Sequence, residues 1–384
     1  MSRILIIGNH PEQLLNFRGD LIRHLQSRGH DVVTACPPAP AEIDRRFAKW
    51  GVRRLDLALD RTGASLISDL RVLGELYRMF RREQPDVVLA YTIKPVIYGA
   101  FAARLAGVPV MAAMITGLGA AFLPPASFKE RLVRGMARGL YRLAMRCTDL
   151  VFFQNPDDED DFRRSGLIGT RQRVIRTPGS GVNLDRFARA ELPPRPFRFL
   201  MIARLIGDKG VREYIAAAAR VRRAHPEVEF HLVGPYDSNP SAIGPAEIEA
   251  AVAARHIVHH GGQVDVRPFL AACHAYVLPS YREGTPRSVL EALAVGRPVI
   301  TTDAPGCRET VVEGEQGYLV SVAQVEPLAA AMQRLIEMAP ADFERMADAA
   351  RRLAETRFDV VRVNAQLSAE LELAMKPTLQ AATR

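Results

Sequence analysis

The feature that most constrains this chain is an alternation of short, continuous apolar runs with amphipathic stretches, and the series occurs twice. Residues 4–7, 32–36, 55–59, 87–91, 110–115 and 150–153 make the first set of runs. Residues 199–203, 230–233, 257–260, 275–278 and 299–301 make the second. Between them, stretches such as 19–28, 66–83 and 211–224 have helical periodicity. Strands apolar on both faces belong to parallel sheets covered on both sides by helices. The series breaks near 178–197, where Pro178-Gly179-Ser180-Gly181 and Pro193-Pro194-Arg195-Pro196 interrupt regular structure. The expectation is an α/β chain of two doubly wound domains facing each other, residues 1–185 and 186–358. A helical segment, 359–384, is expected to return to the first of them.

Composition narrows the function classes. Of 384 residues, 48% are apolar and 24% charged, the balance of a globular protein with a full core. No apolar run approaches the ~20 residues of a membrane span. The apolar run after Met1-Ser2-Arg3 is too short for a signal peptide, so a cytoplasmic location is expected. The four cysteines, Cys36, Cys147, Cys273 and Cys307, form no C-x-x-C pair, which argues against disulfides and a zinc ribbon. The net charge of +8 suggests an anionic partner: nucleotide, phospholipid or nucleic acid. Nucleic acid is the weakest of these, since no recognised binding motif is present.

The most informative stretch runs from Ser280 to Asp303. It follows an expected strand, and a helix opens near Pro286 or Arg287, with proline suited to a first helical turn. Glu283 falls in the loop and Glu291 about one turn into the helix. The backbone N–H groups between them, at Thr285, Arg287, Ser288 and Val289, would face an anion such as a diphosphate. A carboxylate on each side can accept hydrogen bonds from vicinal hydroxyls, one set on a sugar and one on a ribose. Alone, the two glutamates would read as a loop residue and a solvated helix residue. They have company in Arg204 and Lys209, which follow the first strand of the second series. Ligands of doubly wound sheets bind at the carboxyl ends of strands, which puts these cations beside the Glu283 loop. Two fixed cations can stabilise charge on a departing nucleotide without a divalent metal. Alone, they too would read as surface residues.

Together, Arg204 and Lys209 with Glu283-x₇-Glu291, ahead of Gly296-Arg297-Pro298-Val299-Ile300, resemble retaining glycosyltransferase family 4 with the GT-B fold. The resemblance covers nearly the whole chain. The segments 91–99, 115–119, 153–158, 178–183, 278–284 and 303–310 are similar to a bacterial branch acting in capsule, O-antigen or protein-glycan assembly. It implies two Rossmann-like domains across a cleft, and transfer of a hexose or N-acetylhexosamine from a UDP-sugar to a polyprenyl-diphosphate-linked saccharide. Retention of anomeric configuration and the absence of a metal cofactor are implied in the same way. By the resemblance, Arg204 and Lys209 match the diphosphate-binding pair, Glu283 the glutamate facing the donor sugar, and Glu291 the one holding the ribose. Gly284 to Val289 match the phosphate-cradling turn, and Gly234 with the loop near Gly262 to Asp265 the walls of the nucleotide pocket.

The first domain departs from the family pattern. Gly8-Asn9-His10-Pro11 stands where many relatives have Gly-Gly, and Thr116-Gly117 where many have a histidine. That histidine's role cannot be carried over. His10, Asn16, Arg18, Lys94, Thr116 and Gly117 are candidate acceptor or donor contacts, with structural roles as the alternative. Asp158-Glu159-Asp160 is formally a D-x-D but reads as an acidic helix N-terminus. His256, His259 and His260 lack the spacing and the nearby cysteines of a zinc site. Arg134, Arg138, Arg142 and Arg146 recur every four residues, with Leu132, Met136, Leu140 and Leu143 on another face and an apolar segment, 122–128, before them. Such a helix can lie on an anionic membrane, here the inner face of the cytoplasmic membrane. The alternative is a solvated helix face. Two rival functions remain: a UDP-N-acetylglucosamine 2-epimerase, and a non-catalytic nucleotide-sugar-binding partner.

Overall fold

The computed structural model describes residues 1–59, 66–118, 128–239 and 241–382, with side chains described throughout except at 66–67, 128–134 and 376–382. The chain divides into two compact units, residues 1–180 with 361–384, and residues 181–360.

Unit 1 is built on a seven-stranded parallel sheet: β1 Arg3–Ile7, β2 Asp31–Cys36, β3 Arg53–Asp56, β4 Val87–Tyr91, β5 Val110–Ile115, β6 Leu150–Phe153 and β7 Arg173–Arg176. Their order across the sheet is β3-β2-β1-β4-β5-β6-β7. The helices are α1 Pro11–Ser27, α2 Ala41–Lys49, α3 Leu66–Glu83, α4 Ile93–Ala106, α5 Phe128–Arg146 and α6 Pro156–Arg164. The two-residue period of a strand splits each apolar run between two cores. Ile4, Ile6, Leu89 and Met114 join one with Leu14, Ile22 and Leu25 of α1. Leu5, Ile7, Val88 and Ala113 join the other with Leu76 of α3 and Ala100 of α4. That is why these runs are apolar throughout.

Unit 2 repeats the plan with six parallel strands: β8 Arg198–Ile202, β9 Glu229–Val233, β10 Val258–His259, β11 Ala275–Leu278, β12 Val299–Thr302 and β13 Gly317–Val320. Their order is β10-β9-β8-β11-β12-β13. Around them lie α7 Val211–Ala224, α8 Pro245–Ala253, α9 Arg267–Ala272, α10 Arg287–Val295, α11 Val325–Ile336 and α12 Pro340–Leu353. The last helix, α13 Val360–Ala382, sets Val363, Leu367, Leu371 and Met375 at four-residue spacing into the α1 core of unit 1. Burying each such side chain stabilises the fold by about 1.5–3 kcal/mol.

Several sequence expectations need correction. β3 lies at Arg53–Asp56, not 55–59, because its partner β2 ends at Cys36, which pairs with Asp56. β10 keeps only Val258–His259 of the expected 257–260. Helix α1 starts at Pro11, ahead of the expected 19, with the proline in its first turn. β7 and β13 were not anticipated, and both are edge strands. β7 reads Arg-Val-Ile-Arg with its outer residues exposed, and β13 starts on a glycine. At Gly317 a Cβ would lie 1.7 Å from the Val299 carbonyl oxygen, so only glycine lets this strand join the sheet.

In each sheet the strand order reverses at one place, between β1 and β4 and between β8 and β11. Crevices form beyond the carboxyl ends of strands at such points.

Candidate active site

At the β8/β11 reversal of unit 2, two loops meet. The one after β8 carries Arg204 and a 3₁₀ turn, Gly207–Lys209, and the one after β11 carries Ser280 to Glu283. Glycine permits the meeting. Gly210 has φ +74°, and a Cβ there would lie 2.2 Å from the Pro279 carbonyl oxygen. Gly306 does the same from the third side, since its Cβ would lie 2.2 Å from the Glu283 carbonyl oxygen. The Tyr281 amide donates to the Asp208 carbonyl at 2.9 Å and the Glu283 amide to the Pro305 carbonyl at 2.9 Å, fixing the three loops together.

This framework sets one carboxylate against one ammonium. Lys209 Nζ donates to Glu283 Oε1. The same oxygen accepts the Ser280 hydroxyl at 2.7 Å. Ser280 is fully buried, and its carbonyl accepts the Thr302 hydroxyl of β12. Glu283 is thus held from two directions while its side chain keeps 14% exposure. A charge pair fixed in this way can stabilise a polar transition state.

Arg204 lies apart from that pair. Its guanidinium donates to Asp237 in the loop after β9 at 2.8 Å, and it is exposed. Gly234 brings that loop in: its Cβ would lie 1.7 Å from the Ala203 carbonyl oxygen. The Gly234 carbonyl meets His259 Nε2 at 3.1 Å, and Gly262 packs on Pro235. Asp265 is engaged by Arg267, whose hydrogen bonds hold its carboxyl down at about 2.

Helix α10 starts after Pro286, which offers no side-chain cap to its first amides. Uncapped amides at a helix start favour an anion. Thr285, Arg287, Ser288 and Glu291 are partly buried; Gly284 and Val289 are buried. Glu291 pairs with Arg287 at 3.2 Å, one turn away. Burial raises the Glu291 carboxyl above its ordinary range, and the Arg287 guanidinium works against that rise. Tyr276 lies beneath, its hydroxyl donating to the Ile202 carbonyl at 3.0 Å.

In unit 1 the β1/β4 reversal holds a second polar cluster. Tyr91 closes against the turn after β1, where a Cβ on Gly8 would lie 2.1 Å from its hydroxyl. The Arg18 guanidinium is buried and stands 5.2 Å from the Tyr91 ring centre. His10 is the residue preceding α1, and Thr92, at φ +69°, precedes α4 in a backbone conformation costly for a branched residue. The buried Asn9 Oδ1, Tyr91 hydroxyl and Thr92 hydroxyl have no hydrogen-bond partner among the described residues. Buried polar atoms without partners are expensive, and a ligand supplying them would recover that cost. Thr116 and Gly117 follow β5, whereas Asn16 is exposed on α1 and Lys94 is held by Asp69 at 3.1 Å.

The remaining signals resolve simply. Asp158 is buried in the first turn of α6, its amide donating to the Asn155 side chain at 2.8 Å, and Glu159 pairs with Arg163 and Arg176. His260 stacks on His231 with ring nitrogens 2.8 Å apart. Among the described residues no group of three or more His, Cys, Asp or Glu side chains is placed to hold a metal ion. No helix among them is long and apolar enough to cross a membrane. On α5, Arg138, Arg142 and Arg146 are exposed, as are Met136, Leu140 and Leu143, while Tyr141, Ala144 and Met145 face the core. The Arg134 side chain and the segment 122–127 lie outside the described residues. Sequence reasoning missed Ser280 as the second partner of Glu283, and Asp237 as the partner of Arg204. The first adjoins the motif and was legible there; the second was not.

Comparison with known proteins follows the same division. Residues 17–178 match the family model of the glycosyl transferase 4-like domain, and residues 196–338 that of glycosyl transferases group 1. N,N'-diacetylbacillosaminyl-diphospho-undecaprenol alpha-1,3-N-acetylgalactosaminyltransferase of Campylobacter jejuni is 26% identical over 350 residues, 87% of this chain and 89% of that protein. UDP-Gal:alpha-D-GlcNAc-diphosphoundecaprenol alpha-1,3-galactosyltransferase of Escherichia coli is 28% identical over 287 residues, 71% of this chain and 72% of that one. Sucrose-phosphate synthase from Thermosynechococcus elongatus has the same fold, with TM-score 0.79 at 20% identity over 100% of both chains.

Proposed function

We propose, from the premise that this chain belongs to the group 1 glycosyltransferases with a glycosyltransferase 4-like N-terminal domain, that it moves a hexose or N-acetylhexosamine from a UDP-sugar onto a polyprenyl-diphosphate-linked saccharide. The observation that carries this reading is the Lys209–Glu283 pair, fixed by Ser280 at the sheet's reversal point. Lys209 and Arg204 are cations for the diphosphate; Glu283 faces the donor sugar; Glu291 accepts from the ribose hydroxyls. The amides at the start of α10 complete the phosphate cradle.

Transfer breaks the bond between the sugar's anomeric carbon and the UDP oxygen, whose electron pair leaves with UDP, while an acceptor hydroxyl oxygen bonds to that carbon and gives its proton to the departing phosphate. The cations stabilise that charge in the transition state, the role a divalent metal fills elsewhere. A metal-independent reaction is therefore part of the proposal. Retention of anomeric configuration rests on family membership. The polar cluster at Asn9, His10, Arg18, Tyr91 and Thr92 in unit 1 suits an acceptor rich in hydroxyls and phosphate.

Both transferases named above carry diphospho-undecaprenol or diphosphoundecaprenol in their acceptor names, and the Escherichia coli name specifies UDP-Gal as donor. A lipid-linked acceptor calls for work at a membrane surface. Helix α5 suits that, with exposed Arg138, Arg142 and Arg146 beside exposed Met136, Leu140 and Leu143. A panel of UDP-sugars with polyprenyl-diphosphate saccharides, scored by product mass, tests the reading. A lipid-linked product one sugar heavier is expected. N-acetylmannosamine formed from UDP-N-acetylglucosamine without acceptor would instead make the protein an epimerase, and UDP-sugar binding with no turnover a non-catalytic partner.

A further inference from the structure

The carboxyl edge of the unit 1 sheet holds the cluster already described; its amino edge holds something different. There the chain enters β5, β6 and β7 after α4, α5 and α6. A hollow of about 420 Å³ opens among Arg142, Arg146, Arg171 and the connection 166–172. A second, about 180 Å³, is lined by Arg104, Arg146, Arg171 and Asp149 with their neighbours. Arg146 and Arg171 line both, so the two hollows adjoin at these side chains and make one arginine-lined surface, the groove.

The arginines of this groove are gathered at one place without carboxylate partners among the described residues, whereas many others on unit 1 are paired. Elsewhere on unit 1, Arg3 pairs with Asp31, Arg28 with Glu372, Arg53 with Glu83, Arg173 with Glu370 and Arg176 with Glu159. Arg104, Arg146 and Arg171 form no ion pair among the described residues. Arg142, which lines the first hollow, donates to the Ser165 carbonyl at 2.7 Å. Gly166, at φ +61°, turns the chain beside it in a conformation that favours glycine. Asp149 in the lining accepts the Met111 amide at 2.9 Å.

Three helix C-termini point toward this edge, and each contributes roughly half a negative charge. Four guanidiniums outweigh them together with Asp149. Arginine's planar fork matches phosphate oxygens better than lysine's point charge does. Leu143, 49% exposed, stands three residues before Arg146 on the same side of α5.

We propose that this groove is a phosphate-binding site, separate from the donor pocket, that takes the headgroup phosphate of an anionic phospholipid. The source of the ligand rests on the membrane reading above; the phosphate chemistry does not. The test sets Arg104→Glu/Arg171→Glu, both off α5, against Arg45→Glu/Arg46→Glu, the same charge change on exposed α2, and against Arg138→Glu/Arg142→Glu. Each is sedimented with phosphatidylglycerol–phosphatidylcholine vesicles and, separately, titrated by calorimetry with inorganic pyrophosphate in saturating UDP, which keeps the unit 2 site filled. The groove variant is expected to lose vesicle binding by roughly tenfold or more, and to lose pyrophosphate binding, while the α2 variant keeps both. If the groove variant matches the α2 variant in both assays, the site is overturned. The membrane reading then still stands if the α5 variant alone releases vesicles. If the wild type ignores vesicles but binds pyrophosphate through Arg104 and Arg171, the lipid source is overturned and the phosphate site is kept.

Discussion

The two charged regions of this molecule are wired in opposite ways. At the carboxyl edge of the unit 2 sheet every principal charge has a partner: Lys209 with Glu283, Arg204 with Asp237, Arg287 with Glu291. At the amino edge of the unit 1 sheet, Arg104, Arg146 and Arg171 have none among the described residues. On the proposed reading, the unit 2 pocket takes a nucleotide sugar, which carries both hydroxyls and phosphates and so needs carboxylates and cations side by side in fixed places. A bare phosphate needs only cations. Pairing therefore separates a pocket for a mixed ligand from a pocket for an anion.

The largest effect is expected where the paired site is broken. Glu283→Gln keeps the shape but removes the charge that Lys209 and Ser280 hold. Initial rates at saturating donor should fall by roughly 10²–10³-fold, the cost of losing one fixed electrostatic contact in a transition state. A rate within twofold of wild type would make the pair a structural ion pair.

A second expectation concerns the floor of unit 2. His274 is buried, stacks on Phe197 at 4.6 Å, and accepts the Arg198 amide on Nδ1 at 3.1 Å. Burial, reinforced by Arg195, Arg297 and Arg198, pushes its pKa down to about 4. Below the ordinary value near 6.5 the unfolded chain takes up a proton that the folded chain refuses. Stability is therefore present above pH 6.5 and lost as the pH falls toward 4, by roughly 3 kcal/mol from this residue. Urea denaturation across that range should show the loss, and His274→Gln should remove this residue's share. An identical pH profile in the variant would contradict the assignment. The smallest effect is expected from chelation: excess EDTA should leave the rate unchanged, because the proposed mechanism gives the metal's role to Lys209 and Arg204. Activity abolished by EDTA and restored by Mg²⁺ or Mn²⁺ would break the metal-free account.

How much of this was legible in the sequence follows from what kind of information each part needs. The central strands announce themselves because both faces are buried, so 87–91 and 110–115 are apolar at every position. Edge strands carry no such mark: β7 begins and ends with exposed arginines. Lys209 and Glu283, 74 residues apart, were assigned to one crevice because both follow strands of one series. Their direct contact depends on Gly210 and Gly306, whose close approaches no spacing reveals. The groove of unit 1 was half visible. The four-residue spacing of Arg138, Arg142 and Arg146 could be read, but Arg104 and Arg171 join only because three connections end at one sheet edge.

The division between the two regions is tested most directly by calorimetric titration of UDP into three proteins: wild type, Glu291→Ala and Arg104→Glu/Arg171→Glu. Glu291→Ala removes the charged acceptor for the ribose hydroxyls, which should weaken UDP binding by roughly 1.5–3 kcal/mol, or about 10- to 150-fold. The groove variant should bind UDP as the wild type does. Unchanged affinity in Glu291→Ala, or a matching loss in the groove variant, would contradict the placement of the nucleotide in unit 2.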